Sequence, residues 1–179
     1  MIKKVFLGLA AALILLAAFV ALQPASYTVT RSAVVNAPPE RVFPLVNDFH
    51  AWEQWSPWAK IDPEMSVAYY GAEAGQGAVY AWSGNDDAGE GRMTILESQT
   101  PSLIRIRLEF LRPFQSVNAT EFSFRPEGDR TEVQWTMRGD NGFMEKAVFL
   151  AMGGIDKAVG PDFEKGLAQM KAVAEAAGR

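Results

Sequence analysis

The only histidine of the chain, His50, stands beside the segment AWEQWSPWAKIDP (residues 51–63), in which Trp52, Trp55 and Trp58 recur every third residue around Ser56-Pro57. Imidazole has the ordinary pKa best suited to a general base at neutral pH. A working base also needs an orienting or nucleophilic partner. No Ser, Cys or Asp pattern accompanies His50, which reads as a solvent-facing residue at a helix end. Glu97 and Glu109 serve as general acids only if buried, and the alternation of residues 103–110 puts Glu109 outside. Arg105 and Arg107 carry the charge to hold an anionic head group, but the same alternation sends them to the wet face. The metalloprotease pattern H-E-x-x-H, the phosphate-loop pattern and G-x-S-x-G are all missing. Gly75-Gln76-Gly77 precedes a strand instead of opening a helix, so it reads as a turn and not a dinucleotide site. Asp86-Asp87 lacks the alternating ligands of a calcium loop, and Asn118-Ala119-Thr120 matches the glycosylation pattern only by chance, mid-strand. With no cysteine and one histidine, thiol nucleophiles, disulfides and His- or Cys-rich metal sites are excluded, and neither metal nor cofactor is expected.

The aromatic residues point elsewhere. Tyr80 and Trp82 share one strand face, Trp135 and Met137 another, Phe122 and Phe124 a third, with Met93 and Phe110 on strands between. Phe163, Leu167 and Met170 recur at helical spacing near the C-terminus and would lie across from them. Aromatic rings and adaptable methionines suit the wall of a cavity for an apolar ligand, though each residue alone would serve equally well in a core. The candidate lining set is therefore Trp52, Trp55, Trp58, Tyr80, Trp82, Met93, Phe110, Phe122, Trp135, Met137, Phe163, Leu167 and Met170. In the tryptophan segment Ser56 can cap and Pro57 can take a first helical position. The segment is expected to be pinned over the mouth of a curved sheet.

Those residues need a sheet and a helix to position them. Residues 27–36 (YTVTRSAVVN) are rich in β-branched side chains and read as a first strand. Ala37-Pro38-Pro39-Glu40 then opens a helix with Val42, Phe43, Leu45 and Val46 on one face, ending near Asn47. From Met65 the period changes to two, giving strands at 65–70, 78–83, 91–98, 103–110, 116–125 and 131–138, separated by Gly, Pro, Asn and Asp turns. A short apolar helix at 143–152 stops at Gly153-Gly154. A long one follows at 155–177, with Gly160-Pro161 expected to kink it or mark its real start. Six consecutive hairpin-joined strands exclude a parallel doubly wound sheet. The expected class is α+β: a curved antiparallel sheet of about seven strands around a long C-terminal helix.

The N-terminus is a different kind of sequence. Residues 5–22, from Val5 to Leu22, carry no charge and follow Lys3-Lys4 directly. Eighteen residues make about 27 Å of helix, close to the roughly 30 Å hydrocarbon core of a bilayer. A cleaved signal peptide is the alternative. The pairs Phe19/Ala21 and Gln23/Ala25 each lack one of the two small residues that cleavage wants, and Pro24 interrupts the region, which favours an uncleaved anchor. The next basic residue is Arg31, so the positive-inside rule puts the N-terminus in the cytoplasm and the domain outside the plasma (inner) membrane, in the periplasm, tethered or else cleaved and secreted. The expected division is an anchor and linker over 1–25 and a single domain over 26–179. Of the 17 basic residues two precede the span, leaving 15 against 21 acidic ones, a net of −6, and nucleic acid is a poor partner for such a surface.

The element order and several motifs resemble the START/Bet v-like (SRPBCC) superfamily in its polyketide cyclase/dehydrase branch. The resemblance rests on the strand-then-helix stretch at 32–49, on Trp52-Glu53-Gln54-Trp55-Ser56-Pro57-Trp58 followed by Asp62-Pro63, and on Gly75-x-Gly77 before Tyr80-x-Trp82-x-Gly84. It continues through Thr131-x-Val133-x-Trp135-x-Met137-x-Gly139 and Asp162-Phe163-Glu164-x-Gly166-Leu167, and covers residues 27–177. It implies a helix-grip fold with a hydrophobic cavity beneath the C-terminal helix, open to lipids, sterols, polyketides or other apolar molecules. Only some members catalyse cyclisation or dehydration, and the resemblance brings no catalytic residue to a position of this chain. The expected function is a membrane-anchored binding domain for a hydrophobic small molecule or lipid. A cyclase/dehydrase-type enzyme would need His50, Glu97, Tyr80 or Arg92 inside the cavity with a partner. An envelope protein-interaction module would leave the tryptophan cluster solvent-exposed.

Overall fold

The computed structural model describes residues 2–177. Helix α1 (Ile2–Ala21) leads into strand β1 (Ser26–Val35), two short helices α2 (Pro39–Val42) and α3 (Pro44–Asn47), and a 3-10 turn (Phe49–Gln54). Six strands follow, β2 (Ser66–Gly71), β3 (Ala78–Ser83), β4 (Glu90–Gln99), β5 (Leu103–Arg112), β6 (Ser116–Glu127) and β7 (Arg130–Asp140), then α4 (Phe143–Ala151) and α5 (Ile155–Ala176). The seven strands form one antiparallel sheet in the order β1-β7-β6-β5-β4-β3-β2. Sequential hairpins build six of the strands, and β1 closes the far side by pairing along β7 from Ser26↔Asp140 to Val35↔Thr131. This is the expected helix-grip α+β architecture, with α5 held against the concave face of the sheet.

Two local expectations need correcting. The single helix foreseen up to Asn47 is two, because Pro44 has no N–H to continue the ladder and so starts a new turn. Conversely, α5 runs unbroken through Gly160-Pro161. Gly160 makes room there for Arg31 of β1, whose guanidinium lies where a Cβ would fall. Arg31 reaches Asp156 at 2.9 Å and Glu164 at 2.7 Å, one helical turn to either side of that glycine. The hydrogen bonds from Arg31 hold the Asp156 carboxyl below its ordinary range. One basic residue thus clamps the first half of the helix to the edge strand.

Farther along α5, Gly166 permits a second close approach. A Cβ there would stand 3.0 Å from the Trp135 ring and 3.1 Å from Pro57. Phe163, Leu167, Met170 and Ala174 pack from this helix onto Val29, Ile104, Ile106, Phe122, Phe124 and Val133 of the sheet, all buried. On the opposite face Arg105 bridges Glu97 at 2.6 Å and Glu121 at 2.8 Å. Glu109 does lie on this outer face, but it is not exposed as the alternation suggested. Arg92 at 2.6 Å and Arg107 at 3.0 Å cover it, and the hydrogen bond from Arg92 depresses its pKa.

Candidate ligand cavity

The tryptophan segment is fixed by its own N–H groups. Helix α3 is a single turn, so its carbonyls lack helical partners. Trp52 Nε1 donates to Val46 O at 3.0 Å and Trp55 Nε1 to Leu45 O at 2.7 Å. These bonds turn both indoles inward, where Trp52 is 5% and Trp55 1% exposed. At the centre Trp135 of β7 is sandwiched between Phe163 (4.0 Å, 10°) and Phe122 (4.8 Å, 29°). Trp55 and Trp58 meet its ring edge-on at 5.7 and 5.8 Å. Such stacked and edge-on pairs add roughly 0.5–1.5 kcal/mol each beyond area burial.

On the open side of that stack the sheet and α5 diverge around a cavity of about 810 Å³. Trp52, Trp58, Tyr80, Trp82, Met93, Phe110, Trp135, Met137 and Phe163 line it. Trp55, Phe122, Leu167 and Met170 do not. They are buried in the solid core behind the wall, Phe122 and Trp55 covered by Trp52 and Trp135, Leu167 and Met170 beyond Phe163 where α5 contacts the sheet directly. Residues missed from sequence also contribute: Tyr27, Asn118, Thr120, Phe149, Ile155 and Val159. Asn118 and Thr120 share the inward parity of Phe122 and Phe124, a signal masked by the glycosylation pattern they happen to spell. Both are buried, which excludes them as a modification site.

Tyr27, Asn118, Thr120 and Trp135 bring neutral polar atoms to the cavity wall. The Tyr27 hydroxyl donates to Asn118 Oδ1 at 2.7 Å. Thr120 Oγ1 and Trp135 Nε1 are buried without a hydrogen-bond partner. Burial, with Glu145 and Asp140 nearby, pushes the Tyr27 hydroxyl up to about 12. Burial likewise pushes Tyr80 up to about 12. At neutral pH both are donors and not bases. Of the charged lining residues, Glu53, Lys60 and Asp87 are exposed, and Glu145 and Asp162 are half-buried. Asp62 is buried but committed, accepting from the backbone N–H of Glu64 at 2.9 Å and of Asn85 at 2.7 Å.

The remaining acid–base candidates stand outside. Glu97 and Arg92 belong to the ion pairs of the outer face. The His50 side chain is 55% exposed and is not among the lining residues. It does have a partner two residues upstream: Asp48 caps the 3-10 turn through His50 N and takes a 2.8 Å hydrogen bond from His50 Nδ1. Its ring stacks on Tyr69 at 4.0 Å.

A helix gripped by a curved antiparallel sheet over an aromatic-walled cavity defines a class of ligand-enclosing folds. The chain belongs to the polyketide cyclase/dehydrase and lipid transport family, whose model matches residues 26–175. Among curated proteins, none matches the chain by sequence. Solved structures do. An aromatase/cyclase from a Streptomyces species is 17% identical, covering 86% of this chain and 96% of its own with a TM-score of 0.62. Norcoclaurine synthase from Thalictrum flavum, in complex with dopamine and hydroxybenzaldehyde, is 9% identical over 84% of this chain and 87% of its own, also at 0.62. A protein of Thermus thermophilus is 18% identical over 86% of this chain and all of its own, at 0.60. At these identities the likeness is one of fold.

Proposed function

We propose that the protein is a membrane-anchored binding domain that takes an uncharged hydrophobic molecule, a lipid, into the cavity beneath α5. The observation that carries this reading is the cavity itself: about 810 Å³ and walled mainly by aromatic rings, methionines and other apolar side chains. Ligand sites of roughly 300–1,000 Å³ with mostly apolar walls and a few placed polar groups hold small organic molecules. The polar atoms of Tyr27, Asn118 and Tyr80 suit a ligand with a neutral polar end. Helix α1 supports the anchor, being long and apolar enough to cross a bilayer and exposed along its length except at Val20. The Lys3-Lys4 start supports a cytoplasmic N-terminus and an extracytoplasmic domain. Tethering raises the local concentration of molecules dissolved in the same bilayer.

Cyclase or dehydrase chemistry would need an acid or base set against the substrate. Among the lining residues Tyr27 and Tyr80 are held protonated, and the carboxylates of Asp62 and Glu145 are engaged by backbone N–H groups, which supports binding over catalysis. An interaction module built on the tryptophans gains no support, because Trp52 and Trp55 are buried. The test is a native mass spectrum of the full chain extracted from membranes in mild detergent. An apolar adduct, and a higher melting temperature with the matching lipid, are the expected results. An empty protein with no thermal shift across a lipid panel would overturn the reading.

A further inference from the structure

Helix α4 presents its apolar side to the outside. Phe143, Met144, Ala147, Val148 and Ala151, with Met152 just beyond the helix, lie on one half of its circumference at 100° per residue. Phe143, Met144 and Met152 are 49%, 59% and 54% exposed. Phe149 and Lys146 face the other way and Glu145 lies on the flank, with Phe149 and Glu145 lining the cavity. A solvated helix carries its charges outward; α4 is inverted.

Its position says what covers the exposed face. The last turns of α1 pack against α4, burying Val20, and Lys146 Nζ donates to Ala21 O at 3.4 Å. Immediately before α4, Asn141 N donates to Ala25 O at 2.6 Å. The start of α4 is thus tied to the point where the chain leaves α1. Packed helices stand roughly 8–10 Å apart, and a helix lying on a membrane sinks its apolar face roughly 5–10 Å into the headgroup boundary. A second copy of the chain is a poorer occupant. Nine residues of helix are about 14 Å long, and one face of them falls far short of the roughly 800 Å² per partner of a stable interface.

We propose that the outward face of α4 lies in the lipid bilayer interface, making this helix the strip of protein between the membrane and the cavity. The proposal rests on α1 being a membrane anchor. It places one rim of the cavity, at Glu145 and Phe149, against the bilayer, so that a lipid enters without crossing water.

The absence of cysteine makes the test direct. The full chain, reconstituted in phosphatidylcholine–phosphatidylglycerol nanodiscs, is spin-labelled singly through Val148→Cys or Ala151→Cys on α4, Ala12→Cys in α1, or Asp129→Cys in the β6–β7 turn. Collision with oxygen, which concentrates in lipid, is compared with collision with a water-soluble nickel chelate. Labels at 148 and 151 should show an oxygen-to-nickel ratio several-fold above that at 129 and approaching that at 12. Aqueous ratios at both α4 sites with a lipid ratio at 12 overturn the proposal and leave the anchor standing. An aqueous ratio at 12 removes the anchor and the proposal with it. Spin–spin broadening at 148 and 151 identifies a second copy as the occupant and also overturns it.

Discussion

Among the described residues, Thr120 Oγ1 and Trp135 Nε1 are the buried side-chain polar atoms without a hydrogen-bond partner, and both residues line the cavity. A buried hydroxyl without a partner costs about 1–3 kcal/mol. Thr120→Val, which keeps the shape and removes the oxygen, should therefore raise the melting temperature of ligand-free protein. If a ligand donor satisfies Oγ1, the same variant loses part of the ligand-induced shift, and the two melting curves distinguish these effects. Gly166 works in the opposite sense. Gly166→Leu drives a branched side chain into Trp135 and Pro57, and overpacking of this kind costs about 1–3 kcal/mol, readable as a lower midpoint in urea. The tyrosines add a pH signature. Tyr27 and Tyr80 bind their protons more tightly folded than unfolded, so their contribution is complete below pH 10 and is lost as pH rises toward about 12. Tyrosinate absorbance should show these two ionising last. Tyr27→Phe combined with Tyr80→Phe should flatten the alkaline fall in stability.

At the scale of elements, the strands were legible because period two survives wherever one sheet face is dry, as in Ile104, Ile106 and their arginine neighbours. What escaped was set by partners distant in sequence. Nothing within residues 155–177 says that Gly160 faces Arg31, so Gly160-Pro161 reads as a break although the helix continues. Glu109 looks solvent-facing until Arg92 of the neighbouring strand covers it. Phe163, Leu167 and Met170 share one helical stripe, and only the divergence of sheet and helix decides that the first meets the cavity while the others fill the core. The Arg31 clamp carries its own prediction. Asp156 titrates below its ordinary value when folded, so the pair contributes above that value and is lost as pH falls through the lower one. In Arg31→Met the acid limb of the stability curve should be shallower, and amide exchange in the first turns of α5 faster.

At the scale of the whole molecule, the apolar helix α1, the inverted α4 and the apolar cavity lie in sequence along one path, from α1 through α4 to the space beneath α5. Filling that space should uncouple binding from stability. Met137→Trp narrows the cavity beside Thr120 without touching α1. The expected outcome is a folded, membrane-associated protein from which the apolar adduct disappears in native mass spectra.

The pairing of β1 with β7 also governs the order in which the chain can fold. Ser26 finds its partner Asp140 more than a hundred residues later, whereas every other strand pair is a hairpin neighbour. Contacts so far apart in sequence form late, because loop closure costs entropy before any contact rewards it. The first strand synthesised is therefore the last to be paired, its backbone donors and acceptors idle until β7 arrives. Pulse-labelled amide exchange during refolding should show β4–β7 protected first and Val29 afterwards.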